Sequence, residues 1–348
     1  MTGSELKTKL CATDKFLSRY VYSDITTIGD EHGNLELCDC LLEFLRAYIV
    51  IQIKQKDING ASSFENWFNE KVIKKARRQI KDSIRQIDED KYSFYCDGKE
   101  LRINKTKEFK YIIIFDAKDY DANYLKYFVT REGIEINIFS IEDFEKMLDN
   151  LILPSDIFDF LEFRNRFYEE TGKKNPLIID ELSSEISLFG RVSSDIQVSD
   201  YFILKRYLLN GLRIEEISKF NYLMKQINDL VNIDNLLTLE IMMSFNRSEV
   251  IQFIQLWDDA CYNSRGKDFI MPNVIHDDEN VFTCFSKPIN CSIDLFNINY
   301  DIVLRECFEQ FNPKRVHIFV MELFSEEQFC ISFSLIDNPH CIKEEKKK

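Results

Sequence analysis

Two apolar runs, Leu35–Phe44 and Tyr48–Ile53, are joined by a break at Leu45-Arg46, and this pattern constrains the chain more than any other. The second run carries Ile49, Val50 and Ile51, whose branched side chains suit an extended backbone, so the pair reads as two antiparallel strands. A turn centred on Leu45-Arg46 pairs residues whose numbers sum to 91, which sets Asp39 opposite Gln52. Side chains alternate between the faces of a sheet, so Gln52 and Lys54 are expected on the same side as Asp39. An acid, an amide and a lysine then converge at a strand end.

Those residue types suit phosphodiester hydrolysis. The reaction needs a hard cation to polarise the phosphoryl oxygen and to lower the pKa of an attacking water. Asp39 offers an anionic oxygen ligand, the Gln52 carbonyl a neutral one, and Lys54 a charge to meet the developing phosphate charge or to orient the water. The arrangement Asp-x12-Gln-x-Lys resembles the PD-(D/E)xK nuclease superfamily in its QxK variant, that of Mrr-like restriction endonucleases. The resemblance implies an α/β fold with a mixed sheet flanked by helices, Mg²⁺ or Mn²⁺ as cofactor, DNA or RNA as substrate, and a role in bacterial restriction or antiviral defence. Gln52 stands where the superfamily usually has an acid, so metal would bind weakly unless another carboxylate joins. Glu5, in an expected first helix Glu5–Tyr20, lies where the superfamily often places an extra acidic ligand. Glu36 is the reserve, because strict alternation points it away from Asp39.

Further along, Trp67 leads a helical pattern Glu70–Ile87 with Ile73, Ala76, Ile80, Ile84 and Ile87 at helical spacing. Gln79 lies in it where related nucleases carry a polar residue near the scissile phosphate. The same order of elements resembles a group of bacterial proteins with an ELCD strand, here Glu36-Leu-Cys-Asp39, and a tryptophan-led helix. The likeness spans roughly residues 1–165. Two other readings stand beside it. A nuclease-like domain can bind nucleic acid or a partner without cutting, and Lys54 with Lys56 can simply blunt a sheet edge.

A net charge of −14 over 348 residues argues against a general nucleic-acid coat, whose affinity comes from cationic contacts with phosphate. Locally the balance reverses: Lys71, Lys74, Lys75, Arg77, Arg78, Lys81 and Arg85 face a single acid, Asp82. Lys71, Lys74, Lys75, Arg78 and Lys81 are the candidate phosphate contacts, a solvated helix face being the alternative. The ten cysteines form no paired CxxC pattern, and Cys38 and Cys40 read as buried thiols rather than zinc ligands. The four histidines, His32, His276, His317 and His340, make no metal-ligand pair. With no leader pattern at the start and no uncharged apolar run near 18 residues, a cytoplasmic location with no membrane partner is expected.

Lys110–Phe115 and Gly133–Ser140 read as strands with a helix around Tyr120–Arg131 between them, and Asp143–Asn150 and Ser155–Glu170 read as helices. Asp116 and Asp119 follow a strand end but read as loop acids, outside the site. The polar stretch Thr171–Pro176 is the expected domain boundary, dividing residues 1–170 from an α+β module over 177–342 that recognises, dimerises or regulates. There, Glu215–Trp257 reads as mostly helical with a cap at Asn246–Ser248, Val316–Val320 and Gln328–Leu335 as strands, and Lys343–Lys348 as a solvated tail. A second copy or a partner subunit is expected, since one hydrolytic centre cuts one strand of a duplex.

Overall fold

The computed structural model describes residues 2–28, 35–57, 62–89, 91–118, 120, 124–151, 153–170, 214–230, 236–266, 269–288, 291–325 and 328–338. The chain divides into two compact units, Met1–Gly211 and Leu212–Lys348. Both are mixed α/β. The expected boundary at Thr171–Pro176, His32, Asp119 and the lysine tail lie outside the described residues.

In the first unit, helix α1 (Gly3–Phe16) is followed by strands β1 (Val21–Ser23), β2 (Thr26–Ile28), β3 (Leu35–Glu36), β4 (Cys40–Glu43) and β5 (Ala47–Gln55). A continuous helical rod comes next: α2 (Phe64–Trp67), a π-helical stretch Phe68–Ala76, and α3 (Arg77–Asp88). Then come β6 (Ser93–Cys96), β7 (Lys99–Leu101), β8 (Glu108–Asp116), β9 (Tyr127–Val129), β10 (Glu135–Ser140), α4 (Ile141–Asn150) and α5 (Asp156–Glu170).

The β4–β5 hairpin has the expected register, with Cys40 opposite Ile51 and Glu43 opposite Tyr48. It sits inside a six-stranded sheet of order β1-β4-β5-β8-β10-β9, in which β5, β8 and β10 run parallel. Strand alternation sorts the core. Ile49, Ile51 and Ile53 face α1, α4 and α5, where they pack with Ala12, Phe16, Phe144 and Phe160. On the other face, Trp67, Phe68, Val72, Ala76 and Ile80 of the rod cover Ile113, Phe115, Ile136 and Ile138. Burying such branched side chains contributes about 1.5–3 kcal/mol each, which makes the sheet a firm platform. A small sheet of order β3-β2-β6-β7 stands apart in hydrogen bonding.

Three expectations change. The run Leu35–Phe44 is two strands in two sheets: β3 pairs with β2, β4 pairs with β5, and Leu37–Asp39 crosses between them. Tertiary bonds hold the crossing open, since the Leu37 N–H donates to the Ile25 carbonyl at 3.0 Å and the Ser83 hydroxyl donates to the Leu37 carbonyl. Among the described residues of 120–131 there is no helix. Tyr127–Val129 instead forms edge strand β9 against β10, because Gly133, at φ 82°, allows the tight return that pairs Phe128 with Ile136. Helix α1 stops at Phe16 rather than Tyr20, where Leu17 at φ 68° leaves the helical region.

The second unit comprises α6 (Ile214–Leu230), α7 (Leu236–Met243), α8 (Arg247–Asn263), β11 (Val274–His276), β12 (Asn280–Lys287), α9 (Ile293–Phe311), β13 (Arg315–Ser325) and β14 (Gln328–Asp337). Its sheet has order β11-β12-β13-β14, with β12 and β13 parallel and α9 as their crossover. The expected helicity over 215–257 resolves into three helices, and Asn246 caps α8 in a capping box with Glu249. Phe253 and Trp257 of α8 pack on Phe319, and Val303 and Cys307 of α9 pack on the opposite face with Val281, Val316 and Ile318. Among the described residues no helix is long and apolar enough to cross a membrane.

Candidate active site

Gln52 and Lys54 follow the even-numbered alternation of β5 and so project from the face opposite Ile51 and Ile53. Asp39 lies in the crossing segment just before β4, where its carboxylate Oδ2 accepts the Ile53 N–H at 2.5 Å. That bond closes the open end of the hairpin and fixes the carboxylate. Lys54 completes the corner. Its Nζ donates to the Ile53 carbonyl at 2.6 Å and lies 3.4 Å from both Asp39 Oδ2 and Gln52 Oε1. An ammonium carries three donors, and here they meet a carboxylate, an amide carbonyl and a backbone carbonyl.

The corner is shielded. Gln52 is 2% exposed, and the side chains of Lys54 and Asp39 are 12% and 7% exposed. Burial lifts the Asp39 carboxyl above the ordinary aspartate value; the Lys54 charge and the Ile53 N–H pull it back, and Glu5 pushes it up. Burial also raises Glu36, followed by the charges of Asp39 and Glu5. Because β3 pairs in one sheet and β4 in the other, alternation does not carry across Leu37–Asp39.

Glu5 is occupied as the acid of a capping box, its carboxylate accepting from the Thr2 N–H while the Glu5 N–H donates to Thr2 Oγ1 at 3.3 Å. The neighbouring Ser4 ties α1 to the sheet through a 2.7 Å bond to Asp116, whose backbone carbonyl accepts from the Lys56 N–H at 2.8 Å. Asp116 thus belongs to the carboxyl end of the parallel strands, although the sequence reads it as a loop acid; its place at the end of an apolar strand was the usable signal. Gln79 lies one turn before Ser83 on α3, and its Oε1 is buried with no hydrogen-bond partner among the described residues.

The basic residues do not converge on this corner. Lys71, Lys75 and Arg78 are exposed, Lys74 pairs with Glu70 at 2.5 Å, and Lys81 pairs with Glu132 at 2.6 Å. They lie across the rod from Val72, Ala76 and Ile80, which cover the sheet, so roughly a helix diameter of ~10 Å separates the two faces. Cys38 and Cys40 are buried as expected, and burial pushes the Cys40 thiol up to about 12.

Among the described residues no three His, Cys, Asp or Glu side chains are grouped to hold a metal ion. The oxygen set that converges on Lys54 is of another kind. Asp39 Oδ2, Gln52 Oε1 and the Ile53 carbonyl are hard donors of the types that Mg²⁺ and Mn²⁺ accept. Compared with protein-family models, curated proteins and solved structures, the chain has no match. A functional reading therefore stands on the geometry of this corner.

Proposed function

We propose that the first unit is a metal-dependent nuclease that hydrolyses phosphodiester bonds of DNA, with RNA as the alternative substrate. The observation that carries the reading is the convergence of Asp39, Gln52 and the Ile53 carbonyl on one cation at the carboxyl end of central strand β5. Asp39, Gln52 and the Ile53 carbonyl would hold Mg²⁺ or Mn²⁺. Such an ion supplies charge to polarise the phosphoryl oxygen and a bound water of lowered pKa. Lys54 donates to the oxygen that gains charge as the bond breaks, and Asp39, held by the Ile53 N–H, keeps the ligand oxygens in register. Glu36 and Glu5 add negative potential that favours a cation at the corner. Lys71, Lys75 and Arg78 would steady the phosphate backbone at a distance from the cut rather than at it. The second unit would supply recognition or regulation, and restriction or defence is the role that the QxK resemblance suggests.

A binding module that does not cut is the second reading, favoured by one observation: Lys54 already neutralises Asp39. Incubation of the full chain with plasmid, linear and single-stranded DNA and with RNA, in Mg²⁺ or Mn²⁺, separates the two. Cutting that needs metal and disappears in Asp39→Ala supports the nuclease. Salt-sensitive binding that ignores metal and survives Asp39→Asn supports the binding module.

A further inference from the structure

We infer that the Lys54 ammonium is the resident cation of the three-oxygen corner, and that a divalent ion enters only by displacing it. The inference rests on the reading of Asp39, Gln52 and the Ile53 carbonyl as metal ligands, and adds how occupancy of that site is regulated.

Lys54 Nζ lies 2.6 Å from the Ile53 carbonyl and 3.4 Å from Asp39 Oδ2 and Gln52 Oε1, so it fills the place where all three oxygens meet. Two cations cannot share that place. At contact distance the two charges repel, and the shielding of Asp39 and Lys54 limits screening by salt. The lysine has somewhere to go, because its stem is flexible and its strand ends one residue later, at Gln55. Once displaced, the ammonium still reaches the edge of the corner, where a phosphate oxygen is a better partner than bulk water. Binding of the divalent ion and release of Lys54 are then one event. The metal-free corner is a closed ion pair, and metal loading frees the lysine for substrate. The affinity of the wild-type chain for metal is lowered by the fraction of molecules in which Lys54 has swung out.

The test measures Mn²⁺ binding by the purified full-length chain, without nucleic acid, from the electron paramagnetic resonance signal of free Mn²⁺. Wild type, Lys54→Met and Asp39→Asn are compared. Lys54→Met is expected to bind Mn²⁺ about tenfold more tightly than wild type, as follows if the competent state is populated near a tenth, and Asp39→Asn more weakly. Binding that depends on Asp39 but is equal or weaker in Lys54→Met overturns the competition and leaves the metal-site reading standing. No Asp39-dependent binding in any variant overturns the metal-site reading, and the competition with it. A second measurement needs no substitution. Mn²⁺ should raise the rate at which acetic anhydride modifies Lys54 in the wild-type chain, read by peptide mass spectrometry, and an unchanged or slower rate at saturating Mn²⁺ contradicts the displacement.

Discussion

Each unit hides polar groups in a sheet, and the two do it in opposite ways. In the first, Asp39, Gln52 and the Ile53 carbonyl gather around the charged Lys54 at a strand end. In the second, His317 is fully buried in β13 between neutral partners: its Nε2 lies 3.2 Å from Asn280 Oδ1, its Nδ1 lies 2.9 Å from Thr238 Oγ1, and its ring stacks on Phe282 with centroids 4.2 Å apart. Asn280 Oδ1 can only accept, so Nε2 carries the proton and Nδ1 accepts from the Thr238 hydroxyl. Both ring nitrogens are thereby satisfied with the ring uncharged, while Arg315 and Asp277 act on it with opposite sign. Burial then holds the imidazole neutral, lowering its pKa to about 3. A buried polar network whose members satisfy one another specifies a core. A charged cluster at a strand terminus, with oxygens converging on one point, is a place where something else can bind. The contrast separates a candidate site from a structural polar group better than residue type does, since a lone histidine attracts a catalytic reading more readily than a glutamine.

The largest effect expected from this contrast is on cleavage. Asp39→Ala should lower the single-turnover rate per folded molecule by about 10²–10³-fold or more, beyond the loss of stability from leaving the Ile53 N–H and the Lys54 ammonium without their carboxylate. A variant that loses activity only by unfolding would place Asp39 with His317 as structural.

His317→Leu is the converse. It leaves the Thr238 hydroxyl and the Asn280 carbonyl oxygen without their partner and should cost about 2–4 kcal/mol in a denaturant titration, with cleavage per folded molecule unchanged. Lost cleavage in a folded His317→Leu protein would break the contrast.

The same histidine sets a pH dependence. Its folded pKa lies below its unfolded value, so the unfolded chain binds a proton that the folded chain refuses. The stabilisation is fully present above pH ~6.5 and is lost as pH falls toward about 3, at about 1.4 kcal/mol per unit within that window. Chemical denaturation at stepped pH should show this slope in wild type and its absence in His317→Leu.

The smallest effect belongs to the crossing segment. Ser83→Ala removes the hydroxyl that holds the Leu37 carbonyl and should cost about 1 kcal/mol in urea. Because Leu37 leads directly into Asp39, cleavage should fall several-fold more than the population of folded chain does.

The hairpin was legible because two apolar runs and a short break admit one register, and Cys40 does pair with Ile51. Gln52 and Lys54 followed from alternation alone. What alternation could not show was the interruption at Leu37–Asp39, which depends on Ser83 and Ile25, residues distant in sequence from Asp39. For that reason alternation sets no direction for Glu36, the reserve ligand. The Ile53 carbonyl was invisible because backbone groups carry no sequence signature. The missed hairpin β6–β7 had a local signal, Asp97-Gly98, whose φ values of 50° and 74° suit a two-residue turn. The helix expected over Tyr120–Arg131 shows the reverse error: aromatic and branched residues at Tyr127–Val129 favoured an edge strand, and pairing with β10 decided it. The basic face on the rod was legible as charge but not as position, since only the packing of Val72, Ala76 and Ile80 shows which way it turns.

The most direct test of the central claim is Lys54→Ala, measured for Mg²⁺- or Mn²⁺-dependent DNA cleavage and for thermal stability in one preparation. Cleavage is expected to fall by about 10²–10³-fold or more with folding intact, since under the proposed function Lys54 would donate to the charge that develops on phosphate. Cleavage that persists in folded Lys54→Ala would contradict it, and would leave Lys54 as a counterion that closes the hairpin.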